Sequence, residues 1–414
     1  MAEKSKKPAI RFAGFTEAWE QRKLDEIVSF FSGLTYSPSD IRPTGTLVLR
    51  SSNVKDGEVV DADNVYVDPS VVNSENVHDG DIIVVVRNGS RALIGKHAEI
   101  KGSMPNTVIG AFMTGIRSEH PSFLNSLLST PHFDKEIERN MGATINQITG
   151  YMFSKMEFMI PSSKEQDAIG EYFKKISNLI TLHQRKYDKL VNVKKAMLEK
   201  MFPKDGADVP EIRFRGFTEA WEQCKLSEIT TMHARIGWQN LRTSEFLDNG
   251  EYMLITGTDF IDGSVNFNNC HYVKRERYVQ DKNIQIKNGN ILITKDGTLG
   301  KVAYIQGLTI PATLNAGVFN VEIKNEKEVD NRYLFQYLKA PFLMDYVDKK
   351  STGGTIKHLN QNILVDFPVM LPQKCEQEKI GECFLSIDNL ITLHQRKLEK
   401  LKNLKKACLE KMFV

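Results

Sequence analysis

The stretch Ile180–Phe202, ITLHQRKYDKLVNVKKAMLEKMF, returns near the end of the chain as Ile391–Phe413, ITLHQRKLEKLKNLKKACLEKMF. The offset is constant throughout. A second pair lies upstream of each: Ile10–Ile27, IRFAGFTEAWEQRKLDEI, and Ile212–Ile229, IRFRGFTEAWEQCKLSEI. The 414 residues are therefore two tandem copies of one plan. Between the matched ends lie two inserts, residues 28–160 and 230–371, that match only faintly. Similar frames carry different contents, and that contrast organises the rest of the reading.

The repeated stretches close two long helical segments. Pro161 and Pro372 stand just before their starts, with Ser162 and Ser163 as caps for the first. Ile169, Phe173, Ile176, Ile180, Tyr187, Leu190, Met197 and Met201 follow a spacing of three and four residues, and so do Ile380, Phe384, Ile387, Ile391, Leu398, Leu401, Cys408 and Met412. About 40 residues at ~1.5 Å each make a rod of ~60 Å. An apolar stripe of that length needs a partner, and each helix is the other's obvious one. His183 with His394 and Lys194 with Lys405 interrupt the stripe at matching places. The histidines read as register or hydrogen-bonding groups rather than metal ligands. Pro203–Pro210 is a short linker into the second copy.

The inserts read as short strands, turns and short helices. In the first, Thr46–Arg50 and Asp81–Val86 are strand-like, Asp56-Gly57 and Asn88-Gly89 mark turns, and Pro121–Leu128 and Phe133–Asn140 are helical. In the second, the counterparts are Tyr252–Ile255, Asp262-Gly263, Asn288-Gly289 before Asn290–Thr294, Asp296-Gly297 and Tyr333–Lys339. A loop Gly142–Ile148, GATINQI, ends the first insert, and Gly353–Leu359, GGTIKHL, stands in the same place in the second. The expectation is an α+β fold in each insert, around a curved, largely antiparallel sheet. The segments Ile10–Ile27 and Ile212–Ile229, with their repeated aromatics, read as structural leads into the inserts.

Hydrophobic residues make up 41% of the chain, enough for real cores, and no apolar run approaches the ~18 residues of a membrane span. The first ten residues are charged and lack the apolar centre of a signal peptide. Five cysteines, Cys224, Cys270, Cys375, Cys383 and Cys408, form no CxxC pair and read as reduced thiols of a cytoplasmic protein. The net charge is +3, but the two helical segments are basic and the remainder of the chain is acidic. Lysines on exposed helix faces serve solubility, and some sit where phosphate can be neutralised.

Few catalytic patterns appear. Gly89–Lys96, GSRALIGK, has one residue too many for a phosphate loop, and His97 follows where Ser or Thr is required. Two acid–x–lysine triplets, Glu99-Ile-Lys101 and Glu322-Ile-Lys324, could join Asp81 and Asp296 in a metal-dependent nuclease site, yet they fall at non-equivalent points of the two copies. Alternating charge on an exposed strand explains them. No His/Cys cluster has metal-ligand spacing. No Asn-Pro-Pro-aromatic run, the base-holding motif of amino-methyltransferases, is present. The chain does not read as an enzyme.

The doubled GFTEAWEQ-type leads, the GxTI loops before each helix and the doubled ITLHQRK helices resemble the specificity subunit of type I restriction–modification systems, over nearly the whole chain. That resemblance implies two pseudo-symmetric α/β target recognition domains separated by a long antiparallel two-helix coiled coil. It divides the chain into a first recognition domain at 1–160, a first spacer helix at 161–203, a linker with the second recognition domain at 204–371, and a second spacer helix at 372–414. It implies a DNA-binding subunit that reads a bipartite, asymmetric site in double-stranded DNA and docks two methylation subunits and the restriction subunits. No cofactor would be bound by this chain. S-adenosylmethionine would belong to the methylation subunits, ATP and Mg to the restriction subunits, with no membrane involved. Half-sites one DNA turn apart are ~34–36 Å centre to centre, a distance a ~60 Å helix pair can set.

Base edges are read by bidentate groups, Arg on guanine and Asn or Gln on adenine above all. Candidate readers are therefore the polar residues of matched loops. In the first insert these are Arg50, Ser51, Ser52, Asn53, Arg87, Asn88, Arg91, Asn106, Thr144, Asn146 and Gln147. In the second they are Arg235, Trp238, Gln239, Asn240, Arg242, Thr256, Lys295, Asp296, Thr298, Asn315, Thr355, Lys357 and His358. Solvated loop or turn-capping duty competes with DNA contact at each. Two other classes stay open: an adaptor built on a coiled coil, and a fused enzyme with an unrecognised site. Salt-sensitive, sequence-dependent DNA binding separates the first from a DNA reader, and catalysis by the isolated chain would support the second.

Overall fold

Glu165 and Glu376 stand at equivalent points in the first turns of the two long helices, Ser163–Lys200 and Lys374–Lys411. A computed structural model describes residues 7–141, 146–204, 206–350 and 358–414 of the chain. The chain forms two compact units, residues 1–185 with 395–414, and residues 186–394.

In the first unit, the lead strand Glu20–Lys23 pairs antiparallel with Glu157–Ile160, the last strand of the insert. The lead thus closes the insert on itself. Trp19 is buried beside it, edge-on to Phe413. Arg11 clamps the fully buried Glu165 with two bonds of 2.6 and 2.7 Å. Ile10 N–H donates to the carbonyl of Lys411, one of the carbonyls a helix end leaves open. Phe413 packs against Phe123 and Phe173, at the end of a core built from the insert and the adjoining helix segments. The helix pairing is antiparallel: Tyr172 Oη lies 3.4 Å from Cys408 Sγ, and Phe173 faces Phe413.

The second unit repeats this construction. Glu222–Lys225 pairs with Pro368–Leu371. Arg213 holds the buried Glu376 with two bonds of 2.7 Å. Ile212 N–H donates to Lys200 O. Phe202 stacks on Phe384 among Trp221, Tyr333 and Tyr337. Here the antiparallel pairing is marked by Lys194, which reaches Asp388 across the helix seam. The lysine that interrupts the apolar stripe is therefore nearly buried and ion-paired.

The inserts share a topology. In the first, the larger sheet runs in the order Ser29–Ser32, Met113–Arg117, Ile82–Val85, His97–Glu99, Gly57–Val59, Val54–Lys55, and the smaller one Thr107–Ile109, Thr46–Leu49, Val65–Val67, Ile41–Arg42. In the second, the sheets run Thr230–Ala234, Val318–Ile323, Ile291–Thr294, Val302–Tyr304 and His271–Val273, Tyr252–Ile255, Ala312–Leu314, Gln285–Ile286. The single curved sheet expected in each insert is thus divided in two, and in the second insert the hairpin of Phe260–Ile261 and Ser264–Val265 stands apart as a further two-stranded sheet. Pairing is mostly antiparallel, but Thr107–Ile109 lies parallel to Thr46–Leu49, and Ala312–Leu314 to Tyr252–Ile255. These pairings are long-range, and no periodicity announces them. The central strands Ile82–Val85 and Ile291–Thr294 are buried at every residue, as uninterrupted apolar runs require. Asp56-Gly57 and Asp262-Gly263 adopt positive φ at both positions, the turn geometry that Asp-Gly favours.

All five cysteines are free thiols. Among the described residues no helix is long and apolar enough to cross a membrane.

Candidate nucleic-acid interface

In each insert the central strand leads into a loop where distant parts of the chain meet. In the first, the chain leaves Ile82–Val85 and both Val86 N–H and Arg87 N–H donate to the carbonyl of Phe112, at 3.0 and 3.2 Å. The segment after the short helices returns alongside. Ile148 N–H donates to Val86 O, Asn88 N–H donates to Asn146 O, and Arg87 and Gln147 sit opposite each other in an antiparallel bridge. Alternation along this bridge buries Val86 and Ile148 and turns Arg87 outward.

The side chains then tie together. Asn88 Nδ2 donates to Ser51 Oγ at 3.0 Å, and Asn146 Nδ2 to Gly89 O at 2.9 Å. Ser51, Arg87, Asn88, Asn146 and Gln147 come from three separate stretches and form one surface. Ser52 and Arg91 are exposed, and Arg50 is half-buried in an ion pair with Asp63 at 2.7 Å. Asn106 is exposed at positive φ, and its carbonyl accepts from Leu47 N–H, so it shapes a turn.

Asn53 does other work. It is fully buried, accepts from Arg50 N–H and donates to Ala62 O and Asn64 Oδ1. A buried amide needs such partners, and the loop supplies them from within.

The second insert repeats the backbone with other side chains. Lys295 N–H donates to Gly317 O, the place Phe112 holds in the first insert, and Leu359 N–H donates to Lys295 O. Asp296 and His358 form the bridge that Arg87 and Gln147 form in the first. Here the imidazole Nδ1 meets the Asp296 carboxylate directly. The Lys295 ammonium lies 5.5 Å over the Phe319 ring, and Thr298 is exposed beside it. Thr256 caps a short turn through Asp259, and the half-buried Asn315 donates its N–H to Ile255 O. Asn240 and Arg242 are exposed.

Arg235 and Gln239 are buried instead. Arg235 is 2% exposed and joins the two sheets, donating to Leu314 O at 2.8 Å and Thr313 Oγ1 at 3.2 Å. Burial lowers its pKa, and the nearby Arg277 adds to this. Its guanidinium serves the interior, because Thr230–Ala234 delivers it between the sheets. Thr144, Thr355 and Lys357 lie outside the described residues, as does the side chain of Trp238.

A further exposed side chain, not among the expected readers, lies in these loops. Phe112 is 54% exposed and carries the Arg87 guanidinium 5.0 Å over its ring. No local pattern marks it in sequence, where Ala111, Phe112 and Met113 read as an apolar run.

The acid–x–lysine triplets do not converge. Asp81 accepts from Arg117 at 3.0 Å, Glu99 from Ser122, and Lys101 pairs with Glu58. Among the described residues no group of three or more His, Cys, Asp or Glu side chains is placed to hold a metal ion.

A family model of the type I restriction modification DNA specificity domain matches residues 16–192 and 218–403. The type I restriction enzyme MjaVIII specificity subunit of Methanocaldococcus jannaschii is 23% identical over 347 residues, covering 81% of this chain and 79% of that protein. The StySPI specificity subunit of Salmonella potsdam is 23% identical over 306 residues, covering 67% and 61%. The crystal structure of the type I restriction–modification S subunit from M. genitalium shares the fold, with a TM-score of 0.64 over 99% of both chains at 16% identity.

Proposed function

The chain belongs to the type I restriction–modification DNA specificity family, and we propose that each of its inserts reads one half of a split, asymmetric DNA site. It is the specificity subunit of such a system, a role in DNA recognition and complex assembly rather than catalysis. One observation supports the asymmetry above all. A matched backbone presents Arg87 and Gln147 in the first insert and Asp296 and His358 in the second. A cation beside an amide and a carboxylate beside an imidazole recognise different base edges.

The readers in this proposal are Ser51, Ser52, Arg87, Asn88, Arg91, Asn146 and Gln147 in the first insert, and Asn240, Arg242, Lys295, Asp296, Thr298 and His358 in the second. Arg50, Asn106, Thr256 and Asn315 support the loops, and Asn53, Arg235 and Gln239 act from inside. Methylome sequencing of a host carrying this chain and its partner subunits tests the reading. One split motif with two different halves is expected, with Arg87→Ala altering one half alone. A palindromic motif, or changes in both halves, would count against it.

Two docking faces accompany the readers. Leu179, Leu182 and Leu404 are exposed in the first unit, and Leu390, Leu393 and Val193 occupy the equivalent positions in the second. One apolar face occurring twice on near-identical sequence fits two copies of one partner, the methylation subunit. That partner would bring S-adenosylmethionine, and the restriction subunits ATP and Mg. The site of action is the cytoplasm, where the DNA is. Serine at Leu179, Leu182 and Leu404 should weaken capture of one methylation subunit and leave the melting of the chain unchanged.

A further inference from the structure

Phe112 stands on the turn between Thr107–Ile109 and Met113–Arg117. The turn is bonded on both sides: Ala111 N–H donates to Leu34 O, Met113 N–H to Gly110 O, and the Phe112 carbonyl accepts from Val86 and Arg87. The ring is thus held at the surface by a fixed backbone, more than half exposed. Arg87 lies across it, and no acceptor among the described residues takes its guanidinium donors. Arg50 and Arg117 of this insert are paired, with Asp63 and with Glu75 and Asp81, whereas Arg91 is exposed in the adjoining loop and lies on no ring among the described residues. An unpaired fork on an exposed ring, beside Asn88 and Gln147, lacks both an acceptor and an apolar cover.

We propose that Phe112 is a specificity-determining residue of the first insert: its ring takes the 5-methyl group of a thymine in the major groove, while Arg87, lying on the ring, presents its donors to the neighbouring base pair. The inference rests on the DNA-reading function above. Thymine is the base whose groove edge carries an apolar group, and aromatic side chains contact it, whereas arginine addresses guanine O6 and N7. A wedge between stacked bases would need both ring faces, and the guanidinium covers one. The second insert has Gly317 at this place, so the element belongs to one half-site only.

The methylated motif first identifies the half-site read by the first insert. Duplexes with each thymine of that half-site replaced in turn by uracil, which lacks only the methyl, are then titrated with the complex of this chain and a methylation subunit. Wild-type affinity should fall about fourfold at one position, the factor for one methyl-sized apolar group left unburied. Phe112→Gly should bind the thymine duplex more weakly and ignore uracil at that position. Phe112→Leu, apolar and free of glycine's backbone freedom, should keep part of the sensitivity. Wild-type indifference to uracil at every thymine, or a Phe112→Gly variant as sensitive as wild type, overturns the assignment while sequence-dependent binding upholds DNA reading. Binding independent of sequence overturns both.

Discussion

Glu165 and Glu376 are buried carboxylates, each paired by one arginine from the lead segment, with the arginine side chains only 13% and 14% exposed. The helix N-terminus favours the negative charge, and the fork of Arg11 or Arg213 satisfies both oxygens. Removing one partner leaves the other charge stranded. Arg11→Ala and Arg213→Ala should each cost about 3–5 kcal/mol, the range for a broken buried pair, read by denaturant melting. A loss below about 1 kcal/mol would show that the clamp is not what holds the lead. Lys339 gives a second test at this scale. Burial, with Lys194 adding to it, pushes its ammonium down to about 8 from an ordinary value of 10.5. The folded state therefore releases this proton first, the unfolded chain binds more protons above pH 8, and stability gains from this group as pH rises from 8 towards 10. Below pH 8 the penalty is present in full. Between pH 8 and 9 wild type should rise in stability relative to Lys339→Met, with the thiols common to both proteins. Parallel profiles would contradict this.

At the scale of the elements, Lys194 and Asp388 show how a polar group sits in an apolar seam. Asp388 also accepts from Gln336 at 2.9 Å, so its carboxylate joins the second insert's helix Asn331–Lys339 to the helix seam of that unit. Asp388→Ala should cost about 2–3 kcal/mol by leaving Lys194 nearly buried and unpaired, and adding Lys194→Met should restore most of that. Additive losses would mean that the two residues act separately. The same elements show what sequence can convey. The doubled helices, the apolar runs at Ile82–Val85 and Ile291–Thr294 and the Asp-Gly turns follow from local patterns. The division into two sheets does not, because Thr107–Ile109 meets Thr46–Leu49 across more than fifty intervening residues. The candidate loops were legible as regions, less so as residues. Arg235 looks like a loop arginine until Leu314 O is seen to accept from it, and Phe112 looks like core until its ring is seen outside.

At the scale of the molecule, two units are built alike from a lead strand, an insert and pieces of both long helices, while their loops diverge. In the first unit Ile10 reaches Lys411 at the far end of the sequence, and in the second Ile212 reaches Lys200 just before it. Conserving the clamp, the helix-end bond and the aromatic cluster in both copies leaves the loops free to differ without altering the frame. The proposal of one half-site per insert makes recognition modular, and the measurement that tests this most directly is the methylated motif of a chimera. Residues 28–160 are exchanged for the matching insert of a relative, and the variant is expressed with the partner subunits. One half-site should change to the relative's, with the other half-site intact. A motif in which both halves change, or neither does, in a complex that still methylates, would contradict it.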